Sequence, residues 1–277
     1  MAQHAFIQAI TNNDTSAQAW TNLGTLYLCL GDLQLANQSF GEAQRCDHDY
    51  VQCWVGQALI AEKLAHHDAM DLFRHSTQLG FHEEGSLGYA NSVCKTLLGT
   101  KNKTDRNYIY SIKNMNAISV ACDAMTWYTD RKIDNPCAWN MLGLLQERQM
   151  LYNLSSDSFS KALNLLDCKK VENEEAQSDL IDMVLLNKGR IMVNLKKYEE
   201  ALTYLKRIKK ATFVNQCGLA AAYFKAGLYE EAYASYETTL EWLAPDCGFK
   251  SHILVAMATV VYMHQGQEDA KILLMQA

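Results

Sequence analysis

The chain has very little proline and no long apolar run. Only two of its 277 residues are proline, so little interrupts helix formation over most of the sequence. No window approaches the roughly 18 uninterrupted apolar residues that a membrane-spanning helix needs. The opening residues, MAQHAFIQAI, have neither the basic start nor the apolar stretch of a secretion signal. The sequence predicts a helical protein without a membrane segment.

A basic excess and paired cysteines are also missing. The net charge is −6, whereas a nucleic-acid surface usually shows an excess of lysine and arginine. None of the nine cysteines forms a CxxC pair, so neither a zinc knuckle nor a disulfide framework is indicated. Most of them fall in apolar stretches, where a thiol behaves as a small hydrophobe. We expect reduced, structural cysteines in an intracellular protein.

Catalytic motifs are absent as well. The sequence contains no phosphate-binding glycine loop, nucleophile elbow or Ser/His/Asp arrangement. It therefore predicts no enzyme active site, no cofactor and no metal.

What the sequence does contain is a repeat. Trp20, Leu23, Gly24 and Tyr27 are followed by Ala36, Phe40 and Ala43, and Trp54 comes 34 residues after Trp20. This is the pattern and period of the tetratricopeptide repeat, a pair of antiparallel helices. Because glycine inside a helix costs about 1 kcal/mol against alanine, Gly24 needs a reason, and we expect the second helix to cross close to it.

The repeat frame predicts an all-α tetratricopeptide solenoid, a right-handed superhelix of about seven helix pairs. A leading half repeat at 1–14 is expected to make the chain a fragment of a longer array. The predicted repeats are 17–50, 51–80, 82–133, 135–168, 178–211, 212–246 and 248–277. The residues assigned to the signature are Trp20, Leu23, Gly24, Tyr27, Ala36, Phe40, Ala43, Trp54, Trp139, Gly143, Phe159, Gly189, Ala201, Tyr223, Ala232 and Tyr236.

Several repeats are expected to be irregular. Met70 and Arg74 stand where 51–80 should have a small and an aromatic residue, which makes that repeat degenerate. One long helix of unknown register is expected at about 105–131, and an insertion or extended helix start at 168–179. The last repeat, with Tyr262 and its following turn, is expected to have a turn one residue shorter than its neighbours.

The one histidine cluster comprises His66, His67, Asp68 and His75. A zinc site needs ligands that converge on one point, whereas the side chains of the adjacent residues His66 and His67 are expected to point in different directions. The sequence favours solvated turn residues. A zinc-dependent hydrolase on a helical scaffold is kept as an alternative.

The most basic segment, LKRIKK at 205–210, lies where a helix is expected to end. Lysine and arginine there complement the exposed carbonyl groups. An RNA-binding solenoid remains an alternative, and it predicts an affinity that falls steeply with salt.

The first helix of each repeat lines the concave face in this fold, where a peptide or protein is commonly held. The predicted groove residues are Gln18, Thr21, Thr25, Gln52, Leu59, Asn140, Arg148, Arg190 and Phe224. At the places where chaperone-binding members carry a lysine and asparagine clamp, this chain has Thr21 and Thr25, and Val55 and Leu59. The mixed, partly apolar groove predicts a large protein partner rather than an acidic peptide tail.

Four stretches, AQHAFIQAI (2–10), AWTNLGTLYL (19–28), CWVGQALIAE (53–62) and MDLFRH (70–75), resemble the tetratricopeptide scaffold subunit of the Ski (superkiller) complex. NMNAI (114–118) and GLYEEAYASYE (227–237) do so more loosely. The resemblance runs over nearly the whole chain, and the family's members are several times longer.

That resemblance implies a non-enzymatic scaffold that holds a DExH-box RNA helicase and a WD40 propeller protein. The family works with the RNA exosome in cytoplasmic 3′-to-5′ mRNA decay, which implies an indirect link to the ribosome and location in the cytoplasm, with the nucleus as a second place. An adaptor of another pathway, such as a chaperone or transport cofactor with a peptide in its groove, is the main alternative.

Overall fold

The computed structural model describes residues 1–99, 103–168, 174–244, 247–264 and 266–277. Every regular element in these ranges is helical. A π-helical turn, Ile109–Asn114, follows α7. The helices are α1 Ala2–Asn12, α2 Ala17–Leu30, α3 Leu33–Cys46, α4 Val51–Lys63, α5 Ala69–Leu79, α6 Glu83–Gly99, α7 Arg106–Tyr108, α8 Ala117–Arg131, α9 Pro136–Arg148, α10 Tyr152–Cys168, α11 Glu174–Asn194, α12 Tyr198–Leu205, α13 Phe213–Ala226, α14 Tyr229–Glu241, α15 Phe249–His264 and α16 Gln267–Gln276.

The chain forms two compact units, Met1–Gln149 and Met150–Ala277. In the first unit each helix from α1 to α6 packs on the next, α6 packs on α8 and α8 on α9, and α2, α4, α6 and α9 also contact one another in sequence. In the second unit the helices from α10 to α16 pack in chain order, and α11 also contacts α13. Two-residue turns join pairs such as α2–α3, so their helices run antiparallel. The predicted repeat 135–168 is divided between the two compact units.

Phe40 of α3 fills the space between the helices of the first full pair. A Cβ at Gly24 would lie 2.8 Å from Phe40 Cε1, which is closer than side-chain carbons approach one another. Phe40 is 1% exposed, and Ala36 and Ala43 on the same helix are fully buried. The close approach expected at Gly24 is therefore present, and a glycine is what permits it.

The repeat at 51–80 is not degenerate, which corrects the expectation based on Met70 and Arg74. Ala69, Phe73 and Ser76 are the buried residues of α5, and they occupy the small, aromatic and small positions one residue earlier. Ala69 stands four residues after the left-handed Ala65, whereas Ala36 stands five after Gly31, so the whole pattern is shifted by one residue. A Cβ at Gly88 would lie 2.5 Å from Phe73 Cζ, so α6, the first helix of the following repeat, packs closely against this ring as α4 does against Phe40 through Gly56.

The single helix expected at 105–131 is also wrong. The chain forms the short α7, the π-helical turn and then α8, and Asn116 between them has a left-handed φ of 48°. The helix of the repeat is α8, whose Ala117 and Ala121 are fully buried and which packs on α6. The helix is interrupted at Asn116 by its left-handed backbone conformation. The spacing of core residues does not reveal that conformation, so the repeat period does not predict the break.

Two further expectations concern the second compact unit. At 168–179, the part from Glu174 onwards is the start of α11, while 169–173 lie outside the described residues. In the last repeat Tyr262 is 52% exposed and Val261 is 8% exposed. Val261 therefore takes the core position, nine residues before the buried Ala270, as Tyr223 stands nine residues before Ala232. The turn is not shorter than in the neighbouring repeats.

Four first helices end in the same backbone motif. Gly31, Ala65, Lys196 and Gly227 have left-handed φ values of 84°, 53°, 62° and 81°. In each case the amide of the next residue donates to the carbonyl five positions earlier, at 2.8–3.0 Å. This is the Schellman motif, in which glycine is the favoured residue. Two of the four motifs carry a side chain that the conformation disfavours.

We expect Ala65→Gly to raise the free energy of unfolding by up to about 1 kcal/mol, because it relieves the left-handed strain of a Cβ. The reverse change at the equivalent place, Gly31→Ala, is expected to cost about 1 kcal/mol for the same reason. Urea unfolding followed by circular dichroism measures both. Changes of the same sign at the two sites would contradict this account.

Lys188 of α11 is a buried amine that donates hydrogen bonds to uncharged oxygens of α10. It is 4% exposed, and its Nζ donates to the backbone oxygen of Ser156 at 2.7 Å and to the hydroxyl oxygens of Ser156 and Ser160 at 2.6 and 2.8 Å. Burial lowers the pKa of this amine, and the more distant carboxylates of Asp157 and Glu200 offset that only in part. Lys188 therefore joins α10 and α11 by hydrogen bonds at the cost of holding a charge away from water.

Lys188→Met is expected to leave stability at neutral pH within about 1.5 kcal/mol of the wild type, since an apolar chain of similar length fills the site. The pH dependence should differ more clearly. With a lowered pKa in the folded state, the unfolded chain binds more protons between that value and the ordinary one, so the wild type gains stability relative to Lys188→Met as the pH rises through that window. Urea unfolding at neutral pH and at about pH 10, where an ordinary lysine titrates, measures the difference. The exposed Lys225→Met is the control, and a pH-independent difference for Lys188→Met would refute the effect.

Candidate protein-binding surface

The predicted groove residues are only partly open to solvent. Gln18, Thr25, Gln52, Arg148 and Arg190 are exposed, and Leu59 and Phe224 are half-buried. These residues lie on first helices: α2, α4 and α9 in one compact unit, α11 and α13 in the other. They remain predicted contacts for a partner.

Thr21 and Asn140 are corrections to that prediction. They are 6% and 5% exposed, so a partner cannot reach them. First helices pack on second helices, and α2 with α4, α4 with α6, α6 with α9 and α11 with α13 also contact one another, which covers part of their surface. Repeat position alone did not separate the covered stripe from the open one.

A polar link that the sequence analysis did not single out joins α4 to α6. The carboxylate of Glu62 accepts hydrogen bonds from Asn91 Nδ2 and Lys95 Nζ, both at 3.3 Å. The Lys95 side chain is 67% exposed, so this pair lies at the surface and adds little stability. Its role is to place a cation among the exposed groups of the row.

Between α6 and α9 lies a small apolar depression lined by Cys94, Leu97, Leu98, Leu144 and Arg148. Leu98 is 69% exposed. Burial raises the pKa of Cys94 to about 11, so its thiol is protonated and unreactive at neutral pH. Together with the exposed residues above, the depression forms what we call the first-helix surface of the first compact unit: Gln18, Thr25, Gln52, Lys95, Leu98 and Arg148.

The first-helix surface combines two side-chain amides, one hydroxyl, an exposed leucine and two cationic side chains. An arginine beside an apolar depression is typical of the residues that anchor protein interfaces. The sequence alone could have indicated the position of Leu98, because this residue lies on a first helix of the repeat pattern, α6. It could not have indicated the pairing of α6 with α9, since that pairing depends on the stacking of repeats.

The predicted histidine cluster is divided by the structure. His66, His67 and Asp68 lie together in the turn between α4 and α5, whereas His75 packs its ring edge against Trp54 at a centroid distance of 4.3 Å. The imidazoles of His66 and His67 are stacked at 4.3 Å. The expectation that these two side chains diverge is therefore wrong.

Residues of the basic segment 205–210 contact acidic side chains of α10 and α11. The buried carboxylate of Asp182 accepts from the backbone amides of Lys209 and Lys210 at 3.1 and 2.8 Å. Lys210 Nζ lies 3.0 Å from Asp179 Oδ1, and Arg207 lies 3.9 Å from Asp167. These contacts neutralise much of the positive charge that an RNA phosphate would need.

All nine cysteines are free thiols. Cys53, Cys94 and Cys122 are buried, as expected for structural residues, whereas Cys29, Cys137 and Cys168 are exposed. The expectation of apolar surroundings holds for the buried thiols and for the half-buried Cys217, which packs against a core cluster that includes Tyr236 and Met257, and it fails for the exposed ones. Among the helices described, none combines the length and apolar character that spanning a bilayer demands.

Comparison with solved structures supports the fold. The crystal structure of YrrB, described as a tetratricopeptide-repeat protein with an unusual peptide-binding site, aligns with a TM-score of 0.55 at 13% identity. The alignment covers 85% of this chain and 100% of that protein. With the helical elements above, it confirms the predicted all-α tetratricopeptide fold.

Comparison with curated proteins identifies relatives, while no family model matches the chain. Tetratricopeptide repeat protein 37 of Xenopus laevis is 39% identical over 99% of this chain, and superkiller complex protein 3 of Mus musculus is 38% identical over 98%. The chain spans 17% of the length of each of these relatives. The resemblance to a superkiller scaffold subunit is confirmed: over nearly its whole length, this chain is homologous to a segment of the tetratricopeptide-repeat subunit of the superkiller complex.

Proposed function

We propose that the chain is a non-enzymatic scaffold segment that helps to assemble a DExH-box RNA helicase and a WD40 propeller protein for exosome-mediated 3′-to-5′ mRNA decay in the cytoplasm. The observation that carries the proposal is the 37–39% identity to superkiller complex proteins across 90–99% of the chain. The nucleus is a second proposed location.

The first-helix surface supports a protein partner. It combines an apolar depression with hydrogen-bonding side chains, as interfaces with an apolar centre and a polar rim do. The carboxylates beside the basic segment argue against direct RNA binding, since phosphate recognition needs uncompensated cations. Within the first compact unit, α2, α4, α6 and α9 contact one another in turn and together present several exposed side chains to a partner, and standard protein interfaces bury about 1,600 Å² in total.

Co-expression of the chain with the helicase and the WD40 protein tests the assembly. We expect at least one of the two to be retained after affinity purification of the chain. Retention of neither would overturn the proposal. Saturable binding of C-terminal acidic peptides instead would favour an adaptor of another pathway.

Arg148→Glu tests which face is used. Reversing this charge at the apolar depression is expected to weaken partner binding by about tenfold or more, as loss of an interface arginine does. The matched control is Arg45→Glu on α3, whose side chain is 76% exposed and pairs only with Glu42 on its own helix. Equal binding of the two variants, measured by calorimetry, would exclude the first-helix surface as the contact.

A further inference from the structure

The turn between α4 and α5 gathers three metal-binding side chains. Ala65 has a left-handed φ of 53°, and the amide of His66 donates to Ala61 O at 2.8 Å. Because the backbone reverses here, neighbouring side chains do not fan out as they would on a helix. The rings of His66 and His67 stack with an interplanar angle of 28°, and Asp68 contacts both.

The distances suit a single ion. His66 Nδ1 lies 3.5 Å from Asp68 Oδ2, and His67 Nε2 lies 3.1 Å from Asp68 Oδ1. Ligands held about 2.0–2.1 Å from zinc in a tetrahedral arrangement are roughly 3.4 Å apart. One ligand atom from each residue lies within 4.8 Å of the others, so bringing the three atoms to tetrahedral spacing needs at most about 1.4 Å of movement.

Little opposes that movement. The three side chains are 52%, 84% and 56% exposed, so they can rotate, and an ion can reach them without crossing the core. The backbone amide of Asp68 approaches His66 Nδ1 at 3.4 Å, a long contact that a metal bond would replace. No buried structure has to be disrupted.

A cleft adjoins the cluster. It has a volume of about 610 Å³ between α3, α4 and α5, and His66 and Asp68 line it together with the amides of Gln34, Gln38 and Gln57. Three protein ligands leave the fourth tetrahedral position open. The open position would be available to water or to a donor group that enters the cleft.

We propose that His66, His67 and Asp68 form a binding site for one transition metal ion of the zinc class. Two imidazoles and a carboxylate suit Zn²⁺, Ni²⁺ or Cu²⁺, whereas Mg²⁺ and Ca²⁺ prefer oxygen ligands alone. The site lies in the turn that fixes α5 against α4, so the bound ion stabilises this helix pair. It is independent of the scaffold function proposed above.

Titration of the chelator-treated chain with Zn²⁺, followed by isothermal calorimetry, tests the site. The accessible thiols are alkylated first, so that they do not compete for the ion, while Cys53, Cys94 and Cys122 are buried. The wild type is expected to take up one equivalent and to melt at a higher temperature when loaded. His66→Gln with His67→Gln should weaken that equivalent at least about tenfold and abolish the thermal shift.

His4→Gln is the matched control, since it removes an exposed imidazole on α1 and should change neither result. Circular dichroism establishes that the double variant keeps its helices, as expected for exposed turn residues. Absence of saturable Zn²⁺ uptake by the wild type would overturn the proposal, and so would equal uptake by the double variant.

Discussion

Phe40→Ala is expected to lower the free energy of unfolding by about 3–5 kcal/mol, the range found when a buried aromatic residue is reduced to alanine. The ring is 1% exposed, and its cluster includes Ala36, Cys53 and Ile60. These residues belong to α3 and α4, and α2 contributes residues packed at the margin of the cluster. The cavity would therefore weaken a repeat and also its contact with the next one.

Such a loss is large, because whole domains are stable by only about 5–15 kcal/mol. Urea unfolding and hydrogen exchange of α2–α4 amides would measure it. Leu35→Ala on the same helix is the control, since Leu35 is 40% exposed and surface changes stay within about 0.5 kcal/mol. Equal effects of the two substitutions would show that Phe40 does not hold the repeats together.

Gly56→Ala is the second change expected to be strongly destabilising, by about 1–3 kcal/mol for overpacking. A Cβ at Gly56 would lie 2.5–2.6 Å from Phe40 Cε1 and Cε2. The ring has little room to move, because it also packs against Gly24 and is 1% exposed. The strain outweighs the helix propensity of about 1 kcal/mol that alanine gains over glycine.

Gly41→Ala makes the same chemical change where a Cβ would meet nothing within 4 Å. It should stabilise α3 by up to about 1 kcal/mol, so the two substitutions are expected to have opposite signs in urea unfolding. Combining Gly56→Ala with Phe40→Leu should cost less than the sum of the single changes by more than about 0.5 kcal/mol. Strict additivity would disprove the contact between Gly56 and Phe40.

Much of the fold was predictable because the tetratricopeptide signature is a set of packing rules at fixed spacing. The sizes and spacing of three residues, Gly24, Ala36 and Phe40, predict that two helices cross closely. The sequence analysis did not single out Gly56, because the signature describes contacts within one repeat. Phe40 of α3 contacts Gly56 of α4, which belongs to the next repeat. A glycine inside a helix, away from its ends, was the available signal.

The candidate site was predictable only in outline. Periodicity places Gln52 and Arg148 on first helices, but it also placed Thr21 and Asn140 among the groove residues, although both are buried. Which stripe of a first helix stays open depends on how the next first helix packs, and that contact joins helices that are not neighbours in sequence, such as α2 and α4.

The sequence by itself determined the helical class, the repeat period and the small residues at the crossing of α2 and α3, because these follow from local spacing and side-chain volume. Only the tertiary structure decided the register of α5, the break at Asn116 and the meeting of His66, His67 and Asp68. Each of these depends on packing against a distant helix or on a left-handed turn residue, such as Ala65 or Asn116, that is not glycine. Without a glycine, the sequence does not indicate such a turn. Local propensity is too weak to fix such features, and the neighbouring helices select among the conformations it allows.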